Sequence, residues 1–280
     1  MPDLTSALRR FAEQALGPCE LATSPPGSTD SGPVVRFRSS RGHEYIAKRH
    51  TAIGKHAREV HAYRHWAPAL GARAARLVAA DLQTMTMLIT ALPGHPADGT
   101  GNARDHHRQA GALLRLLHDS EPAQPLPGFQ RWLDDRISRW RDLAAPILSA
   151  GDERIIEHHL TGLRALGIPD GGPGHFDFQP RNWIVDQNGT LHVIDFEHAR
   201  IGLPARDFTR LHFRYWASHP RLRDDFFDGY RRQLTADEQQ AMINCGAIDA
   251  LTALARGTQT GDSTLVSHGR ATLARLRDEG

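Results

Sequence analysis

Lysine is scarce in this 280-residue sequence, in which only Lys48 and Lys55 occur among 34 basic residues. Arginine supplies all the others. A lysine chosen against that background is expected where a compact ammonium does something that a planar guanidinium cannot. Each lysine is therefore a minority choice that asks for a reason.

Cysteine and long apolar runs are also scarce. The two cysteines, Cys19 and Cys245, lie far apart and in no metal-binding spacing, which excludes a disulfide framework and indicates a reducing compartment. No apolar run approaches the ~20 residues that span a bilayer, and residues 1–20 show no secretory signal. We therefore expect a cytoplasmic protein with no membrane partner.

Excess charge is absent as well. The formal net charge is +2, and such a balance argues against a partner such as nucleic acid, which is bound through a large positive field. Hydrophobic residues make up 40% of the chain, which indicates an ordinary folded protein. The chain is long enough for one large domain or two modest lobes.

The spacing of apolar residues changes character near residue 92. Before it, short apolar runs predict strands at 34–38, 44–48 and 85–90. Helical spacings predict one helix over residues 4–16 and another over residues 53–66. After it, three- and four-residue spacings predict helices at 110–118, 129–148 and 152–166 and in the last third. The Asn188-Gly189 turn predicts a lone hairpin within the helical part. We expect an α+β fold of two lobes, a small antiparallel-sheet lobe with a helix (residues 1–92) and a larger, mainly helical lobe (residues 93–280).

The most informative motif is HFDFQPRN at residues 175–182, followed by IDFE at residues 194–197. A hairpin with a tight turn returns to its starting point, so we expect Asn182 and Asp195 to lie close together. An amide oxygen beside a carboxylate suits Mg²⁺, which prefers hard oxygen ligands. Asp177 is expected to face the same place, where it would accept or orient the proton of a hydroxyl group.

The order His-x-Asp-x-x-x-x-Asn, hairpin, Ile-Asp-Phe-Glu resembles the catalytic and metal-binding loops of the protein-kinase-like superfamily. It is more similar to the aminoglycoside phosphotransferase family than to protein kinases. Further matches occur in the family's order over residues 34–215: the phosphate-binding lysine (Lys48), its glutamate partner (Glu59), the adenine-facing segment with Thr90 and Leu92, a Leu-His helix end (His118) and a bracing aspartate (Asp207). The resemblance implies a bilobal protein-kinase-like fold.

The sequence departs from that resemblance at several positions. Phe176 stands where the family usually has glycine, so the backbone there must tolerate a side chain. No GxGxxG motif precedes Lys48, and Ser28, with its neighbours Gly27, Thr29 and Ser31, is the candidate for a turn that covers phosphates. The activation segment of protein kinases is also missing, which disfavours a protein substrate.

The resemblance implies transfer of the γ-phosphate of ATP or GTP to a hydroxyl group of a small molecule. Lys48 and Glu59 would then hold the phosphates, Asn182 and Asp195 would hold Mg²⁺, and Asp177 would align the acceptor. A cationic antibiotic such as an aminoglycoside is the leading acceptor, which makes antibiotic resistance the expected role. The oligomeric state is left open between monomer and homodimer.

Other hypotheses about the function are compatible with the same sequence. The enzyme could be a metabolite kinase acting on choline, an amino alcohol or a sugar, or the chain could be a kinase-fold regulator that binds nucleotide without turnover. A zinc hydrolase built on His61 and His65 is a remote alternative, since no HExxH motif supports it. The acidic clusters at residues 134–135 and 224–228 could attract a polycation, although solvated helix charge explains them better. The histidine pairs at 106–107 and 158–159 are also expected to be solvated.

Overall fold

The computed structural model describes residues 4–22, 32–98 and 101–279. By its contacts the chain divides into two compact units, one formed by residues 1–100 and 180–200 and the other by residues 101–179 and 201–280. The contacts of residues 180–200 therefore join them to the first unit, although the chain around them belongs to the second. The functional division at residue 92 that the sequence predicts stays a prediction.

A five-stranded antiparallel sheet dominates the first unit, with the strand order β1-β2-β3-β5-β4. Its strands are β1 (Cys19–Leu21), β2 (Val34–Ser39), β3 (Glu44–Arg49), β4 (Leu77–Asp81) and β5 (Thr86–Thr90). Two helices accompany it, α1 (Leu4–Leu16) and α2 (Ile53–His65). The predicted hairpin of β2 and β3 is confirmed, with Phe37 opposite Tyr45 in the ladder.

The core of this sheet forms against α1. Leu8 and Ala12, one helical turn apart, are buried with Val35, Phe37 and Leu88 of the sheet. Residues at i and i+4 lie on one face of a helix, and every second residue of a strand lies on one face of the sheet. The apolar face of α1 therefore packs against the apolar face of the sheet, and both are buried.

A second small sheet in the first unit includes the hairpin that joins the HFDFQPRN and IDFE motifs in the chain. It consists of β6 (His95–Pro96), β9 (Trp183–Val185) and β10 (Leu191–Val193), in the order β10-β9-β6. The predicted hairpin at Asn188-Gly189 is confirmed. The Asp186 carboxylate closes its turn by accepting from the main-chain nitrogens of Asn188 and Thr190, at 2.8 and 2.9 Å.

The second unit is mainly helical. Its elements are α3 (Ala103–His118), β7 (Gln124–Pro125), α4 (Phe129–Ala144), α5 (Ala150–Arg164), β8 (Asp170–Gly174), α6 (Arg206–Leu211), α7 (Pro220–Tyr230), α8 (Ala236–Thr260) and α9 (Ser263–Asp278). Strand β11 (Arg200–Gly202) contains the boundary between the two units, and a π-helical turn (His212–Trp216) extends α6. A capping box of Thr235 and Glu238 begins α8.

Helices α3 and α7 pack so closely that glycine is required where they meet. A Cβ atom on Gly111 would lie 2.0 Å from the carbonyl oxygen of Phe226, and one on Gly229 would lie 1.8 Å from that of Arg108. The two backbones therefore touch, which fixes the end of α3 beside α7.

Three histidines that the sequence assigns to solvent are buried, so that expectation is wrong for His106, His107 and His159. Hydrogen bonds make this burial possible, as for His159, whose ring lies 2.9 Å from Asn244 Oδ1 and 3.1 Å from the carbonyl oxygen of Leu276. In the described part of the chain, no helix is both long enough and apolar enough to cross a membrane.

Candidate active site

Lys48 lies near the end of β3 and is buried, with its ammonium among three carboxylates. Its Nζ atom is 2.9 Å from Glu59 Oε2, 2.7 Å from Asp195 Oδ1 and 3.5 Å from Glu197 Oε2. Burial lowers the pKa of Lys48, but Glu59, Asp195 and Glu197 more than offset this and hold it above its usual value. The ammonium is therefore permanently charged and positioned by acids from two other elements.

Glu59, on α2, has a second partner that the sequence did not reveal. His50, one residue beyond the end of β3, places Nε2 2.5 Å from Glu59 Oε2, so its ring donates to the carboxylate. Both side chains are almost fully buried. His50 thereby fixes the rotamer of the carboxylate that pairs with Lys48. The sequence contains one weak signal for this contact. His50 follows Lys48 by two residues, and side chains two residues apart on a strand lie on the same face.

The hairpin of β9 and β10 carries Asn182 and Asp195 at its two ends, and the main-chain nitrogen of Ile194 donates to the Asn182 carbonyl oxygen at 3.1 Å. Asn182 is buried, whereas the Asp195 side chain is 26% exposed. An amide and a carboxylate from this hairpin form a donor set of hard oxygens, which fits Mg²⁺. Their assignment as metal ligands stays a prediction, like that of Lys48 and Glu59 as phosphate-binding residues.

Glu197 is a buried residue of this site that was not among the predicted site residues. Lys55 Nζ donates to its Oε1 atom at 2.9 Å, and Arg58 Nε donates to its carbonyl oxygen at 3.0 Å. Burial and Asp195 raise the pKa of Glu197, but Lys48 and Lys55 outweigh them and hold it below its usual value. Both lysines of the chain thus contact Glu197, and α2 is tied to the turn that follows Asp195.

Three predicted nucleotide contacts remain. One ends a strand of the large sheet, one lies in the segment after that strand, and one lies outside the described residues. Thr90 ends β5, and its Oγ1 accepts from the main-chain nitrogen of Arg76 at 2.9 Å. Leu92 is half-buried in the segment between β5 and β6. Ser28 lies outside the described residues. The contacts of all three with a nucleotide stay predictions.

Two groups of side chains that contain histidine have the composition of a zinc site. Among the described residues, the only trio of ligands that could surround one ion is His50, Glu59 and Glu197. The Lys48 ammonium already occupies that place, because it lies within 3.5 Å of both carboxylates. His61 and His65 have their rings 4.5 Å apart, but no third ligand joins them in that same part of the chain. Neither group supports the zinc alternative.

Asp177 belongs to a polar network of the second unit. The carboxylate is buried and accepts from Gln179 Nε2 at 2.5 Å and from a guanidinium nitrogen of Arg210. Arg210 also donates to Asp249 Oδ1 at 2.8 Å, and Arg214 donates to Asp249 Oδ2 at 2.7 Å. Gln179 and Arg210 therefore hold the Asp177 carboxylate directly. Asp249 and Arg214 fix the orientation of Arg210 and so act on Asp177 indirectly.

The main chain before Asp177 is braced by Asp207. Its carboxylate accepts from the main-chain nitrogens of His175 and Phe176, at 2.9 and 2.5 Å. His118, at the end of α3, places Nε2 3.0 Å from the same carboxylate. The Leu-His helix end and the aspartate that the sequence singled out thus meet at this loop.

Phe176 shows why glycine is favoured at its position. Its φ angle is +58°, in the left-handed region that residues with a Cβ atom rarely occupy. The ring is nevertheless buried and lies against Gly174 and Gly202, where a Cβ atom would approach it within 2.5 and 2.8 Å. Ring packing thus offsets the backbone strain at this position.

Comparison with known proteins agrees with this arrangement. The family model of the phosphotransferase enzyme family (APH) matches residues 23–242. No curated protein matches this chain by its sequence. Solved structures match it over nearly all of its length, with identities low enough that they show the fold alone.

One such structure is an ethanolamine kinase from Plasmodium vivax, with a TM-score of 0.72, 14% identity and coverage of 96% of this chain and 86% of that one. Another is a thermostable mutant of aminoglycoside phosphotransferase APH(4)-Ia in ternary complex with AMP-PNP and hygromycin B, with a TM-score of 0.68, 13% identity and coverage of 96% and 98%. A macrolide 2'-phosphotransferase from Brachybacterium faecium has a TM-score of 0.65, 15% identity and 98% coverage of both chains. The predicted α+β, protein-kinase-like fold is confirmed.

Proposed function

The chain belongs to the phosphotransferase enzyme family and is a kinase of hydroxyl acceptors, and from this premise we propose how its residues divide the reaction. Lys48, held by Glu59, binds the phosphates of ATP or GTP. Asp177 receives the proton of the acceptor hydroxyl as its oxygen bonds to the γ-phosphorus and the bond to the leaving nucleoside diphosphate breaks. The product is a phosphate ester.

The observation that carries this proposal is the buried ammonium of Lys48, paired at 2.9 Å with Glu59 and at 2.7 Å with Asp195. A buried charge is costly unless it is paired, and the three acids around Lys48 still outnumber the ammoniums when Lys55, which pairs with Glu197, is counted. The surplus negative charge suits a site that also receives a divalent cation. Asn182 and Asp195 would hold Mg²⁺, which supplies neutralisation of charge on the phosphate oxygens.

Two acceptor classes predicted from the sequence stay open, a cationic antibiotic and a small metabolite such as an amino alcohol or a sugar. The structural neighbours include proteins of both kinds by their names, a phosphotransferase bound to hygromycin B and an ethanolamine kinase. The role in antibiotic resistance, the cytoplasmic location and the state as monomer or homodimer also stay predictions.

The test is a panel of hydroxyl compounds incubated with the full chain and Mg·ATP, then read by mass for a phosphate adduct. The panel holds hygromycin B, gentamicin, a macrolide, choline, ethanolamine, glycerol and glycerate. We expect an adduct on at least one class, with stoichiometric release of ADP. Nucleotide binding without ADP release in any reaction would instead support the regulator without turnover.

A further inference from the structure

A group of four arginines surrounds the Asp177 network in the second unit, and we call it the arginine cluster: Arg136, Arg206, Arg210 and Arg214. The last three are spaced by four residues along α6 and the π-helical turn, so they share one helix face. Arg136 comes from α4, which packs against α8 as α6 does. Each of the four is partly buried.

Two of these cations are neutralised by the two carboxylates of the network. Arg210 donates to both Asp177 and Asp249, and Arg214 donates to Asp249 at 2.7 Å. The two arginines hold the pKa of the buried Asp249 carboxyl below its usual value, against the effect of burial. The Asp249 carboxyl is therefore ionised, and both acids are already engaged by arginine.

Arg206 has no such partner. Its guanidinium lies between two aromatic rings, 4.7 Å from the centroid of Trp132 and 4.5 Å from that of Phe176. Within residues 4–22, 32–98 and 101–279 it makes no hydrogen bond or ion pair, and aromatic faces attract a cation without neutralising it. Phe176, one of these two rings, directly precedes Asp177 in the chain, and Arg206 stands one helical turn before Arg210, which contacts Asp177.

Arg136 is also short of a counter-charge. Its Nη2 atom is 3.4 Å from Thr252 Oγ1, and its buried Nε atom has no hydrogen-bond partner in the described structure. Burial, together with the neighbouring guanidiniums of Arg206 and Arg210, lowers the pKa of Arg136 to about 9. In the described structure, Asp177 and Asp249 pair only with Arg210 and Arg214. Arg206 and Arg136 make no ion pair with a carboxylate there, and Asp207 and Asp249 offset their charge only from a distance.

One acid in each acidic cluster of the sequence is already paired with arginine. Asp225, in one of the acidic clusters of the sequence, is buried and bound by Arg104 and Arg108, at 2.6 and 2.8 Å. Asp134, in the other cluster, lies 3.4 Å from Arg164. A cationic acceptor would therefore meet two arginines without an ion-pair partner close to the Asp177 network, which costs free energy, whereas an anion would pair with them.

We propose that the hydroxyl acceptor carries an anionic group, a carboxylate or a phosphate, which Arg206 and Arg136 bind beside Asp177. The inference rests on the proposed function in naming this ligand an acceptor, and it reverses the sign of charge that the sequence led us to expect. Guanidinium forks bind both anions through paired, charge-assisted hydrogen bonds. Arg206 would be a specificity-determining residue of the acceptor.

The test measures binding of charge-matched probes by isothermal titration calorimetry to the full chain saturated with Mg·AMP-PNP, so that phosphate sites of the nucleotide are filled. Glycerate carries a carboxylate, glycerol 3-phosphate a phosphate, glycerol no charge and ethanolamine a positive one. We expect at least one of the two anionic probes to bind, and we expect that glycerol and ethanolamine do not bind. Comparison of the two anionic probes shows whether the site prefers a carboxylate or a phosphate. Binding should weaken as salt rises, because the pairs are partly exposed.

The variants locate the site. Arg206→Gln should raise the Kd of the anionic probe at least tenfold, and Arg206→Lys should recover part of the loss because it keeps the charge. Arg136→Gln is a second variant with the same expected direction, in case Arg206→Gln disturbs the packing of Phe176. Arg139→Gln is the matched control, since Arg139 is exposed on the same helix as Arg136, and it should leave the Kd unchanged.

The inference is overturned if neither anionic probe binds, if ethanolamine binds more tightly than both, or if Arg206→Gln and Arg136→Gln behave like Arg139→Gln. These outcomes are separable from failure of the proposed function, which is read from ADP release in the acceptor panel. A further outcome is that the protein releases no ADP with any acceptor and still binds an anion that Arg206→Gln no longer binds. That result would support the anion site and contradict the kinase function.

Discussion

At the scale of single residues, two non-glycine residues adopt the left-handed backbone beside the proposed chemistry. Phe176 has φ +58° and Asp195 has φ +66°. Such conformations cost about 1–3 kcal/mol and persist only where the surroundings enforce them. Asp207 accepts two main-chain hydrogen bonds at residues 175 and 176, and the Lys48 ammonium holds the Asp195 carboxylate. The sequence showed Phe176 as a departure from the glycine usual in the family, and the positive φ gives the reason.

Charge pairing was the least predictable feature at this scale. The resemblance to the family implies the pair of Lys48 and Glu59. Nothing in the sequence shows that Arg210 contacts Asp177, or that Asp249, 72 positions later in the chain than Asp177, joins them. Such contacts depend on which helix faces meet, and helical spacing alone does not decide this.

Asp249 provides a test of the network by its pH dependence. Asp249→Asn leaves Arg210 and Arg214 without their shared carboxylate, so we expect a loss of about 3–5 kcal/mol in the free energy of unfolding at pH 7. The folded-state pKa of Asp249 lies below its unfolded value, so its contribution is present above the unfolded pKa, about 3.9, and is lost as pH falls through the folded value. The difference between wild type and variant in urea denaturation should therefore shrink below pH 4.

The matched control for this prediction is Asp135→Asn, because Asp135 is exposed and has no partner in the described residues. Its stability difference should stay within about 0.5 kcal/mol. A stability loss for Asp249→Asn that stays constant from pH 7 to pH 3 would show that the carboxylate charge is not what holds the network.

At the scale of elements, the hairpin of β9 and β10 was predictable because its signal is local. Asn188-Gly189 sets the turn, and the strands on either side are short and apolar. Strand β4 was missed because its turn into β5 carries no glycine or proline. Residues 82–85 instead form a turn in which Asp81 accepts from Gln83 and Thr84, and Met85 takes the positive φ of 53°. A methionine in that position gives no turn signal in a sequence.

Gly94 connects the segment after β5 to that hairpin. Its φ angle is +109°, and a Cβ atom there would lie 2.1 Å from the carbonyl oxygen of Val185. Gly94→Ala should therefore lower the free energy of unfolding by about 1–3 kcal/mol through strain and displacement of the backbone. Thermal or urea denaturation measures the loss.

Gly101→Ala is the control for this change, because no atom lies within 4 Å of a Cβ atom built there and its φ angle lies outside the left-handed region. We expect a stability change of less than about 0.5 kcal/mol. Equal effects of the two substitutions would contradict the close approach of Gly94 to Val185.

At the scale of the whole molecule, the order of motifs predicted the protein-kinase-like fold, and the similarity to solved structures confirms it. The order sufficed because each motif is tied to a strand end or a helix end, and these positions follow from local sequence. The burial of His106, His107 and His159 could not be read in the same way. A histidine on a helix is buried or exposed according to the neighbour that packs there, which is a property of the tertiary structure.

The charge preferred in the acceptor is also a property of the whole molecule. Net charge is near zero in the sequence, yet the second unit gathers four arginines round two carboxylates. A balanced composition thus conceals a local surplus that only the packing of α4, α6 and α8 brings together.

The most direct measurement of the central claim is the rate of Mg·ATP-dependent phosphoryl transfer by Asp177→Asn, set beside its affinity for nucleotide. Asparagine keeps the size of the side chain but does not accept a proton, so kcat should fall by about 10²–10⁴ while the Kd for AMP-PNP stays within about twofold. Asp135→Asn should match wild type in both. An unchanged kcat in Asp177→Asn, with nucleotide binding intact, would contradict the account.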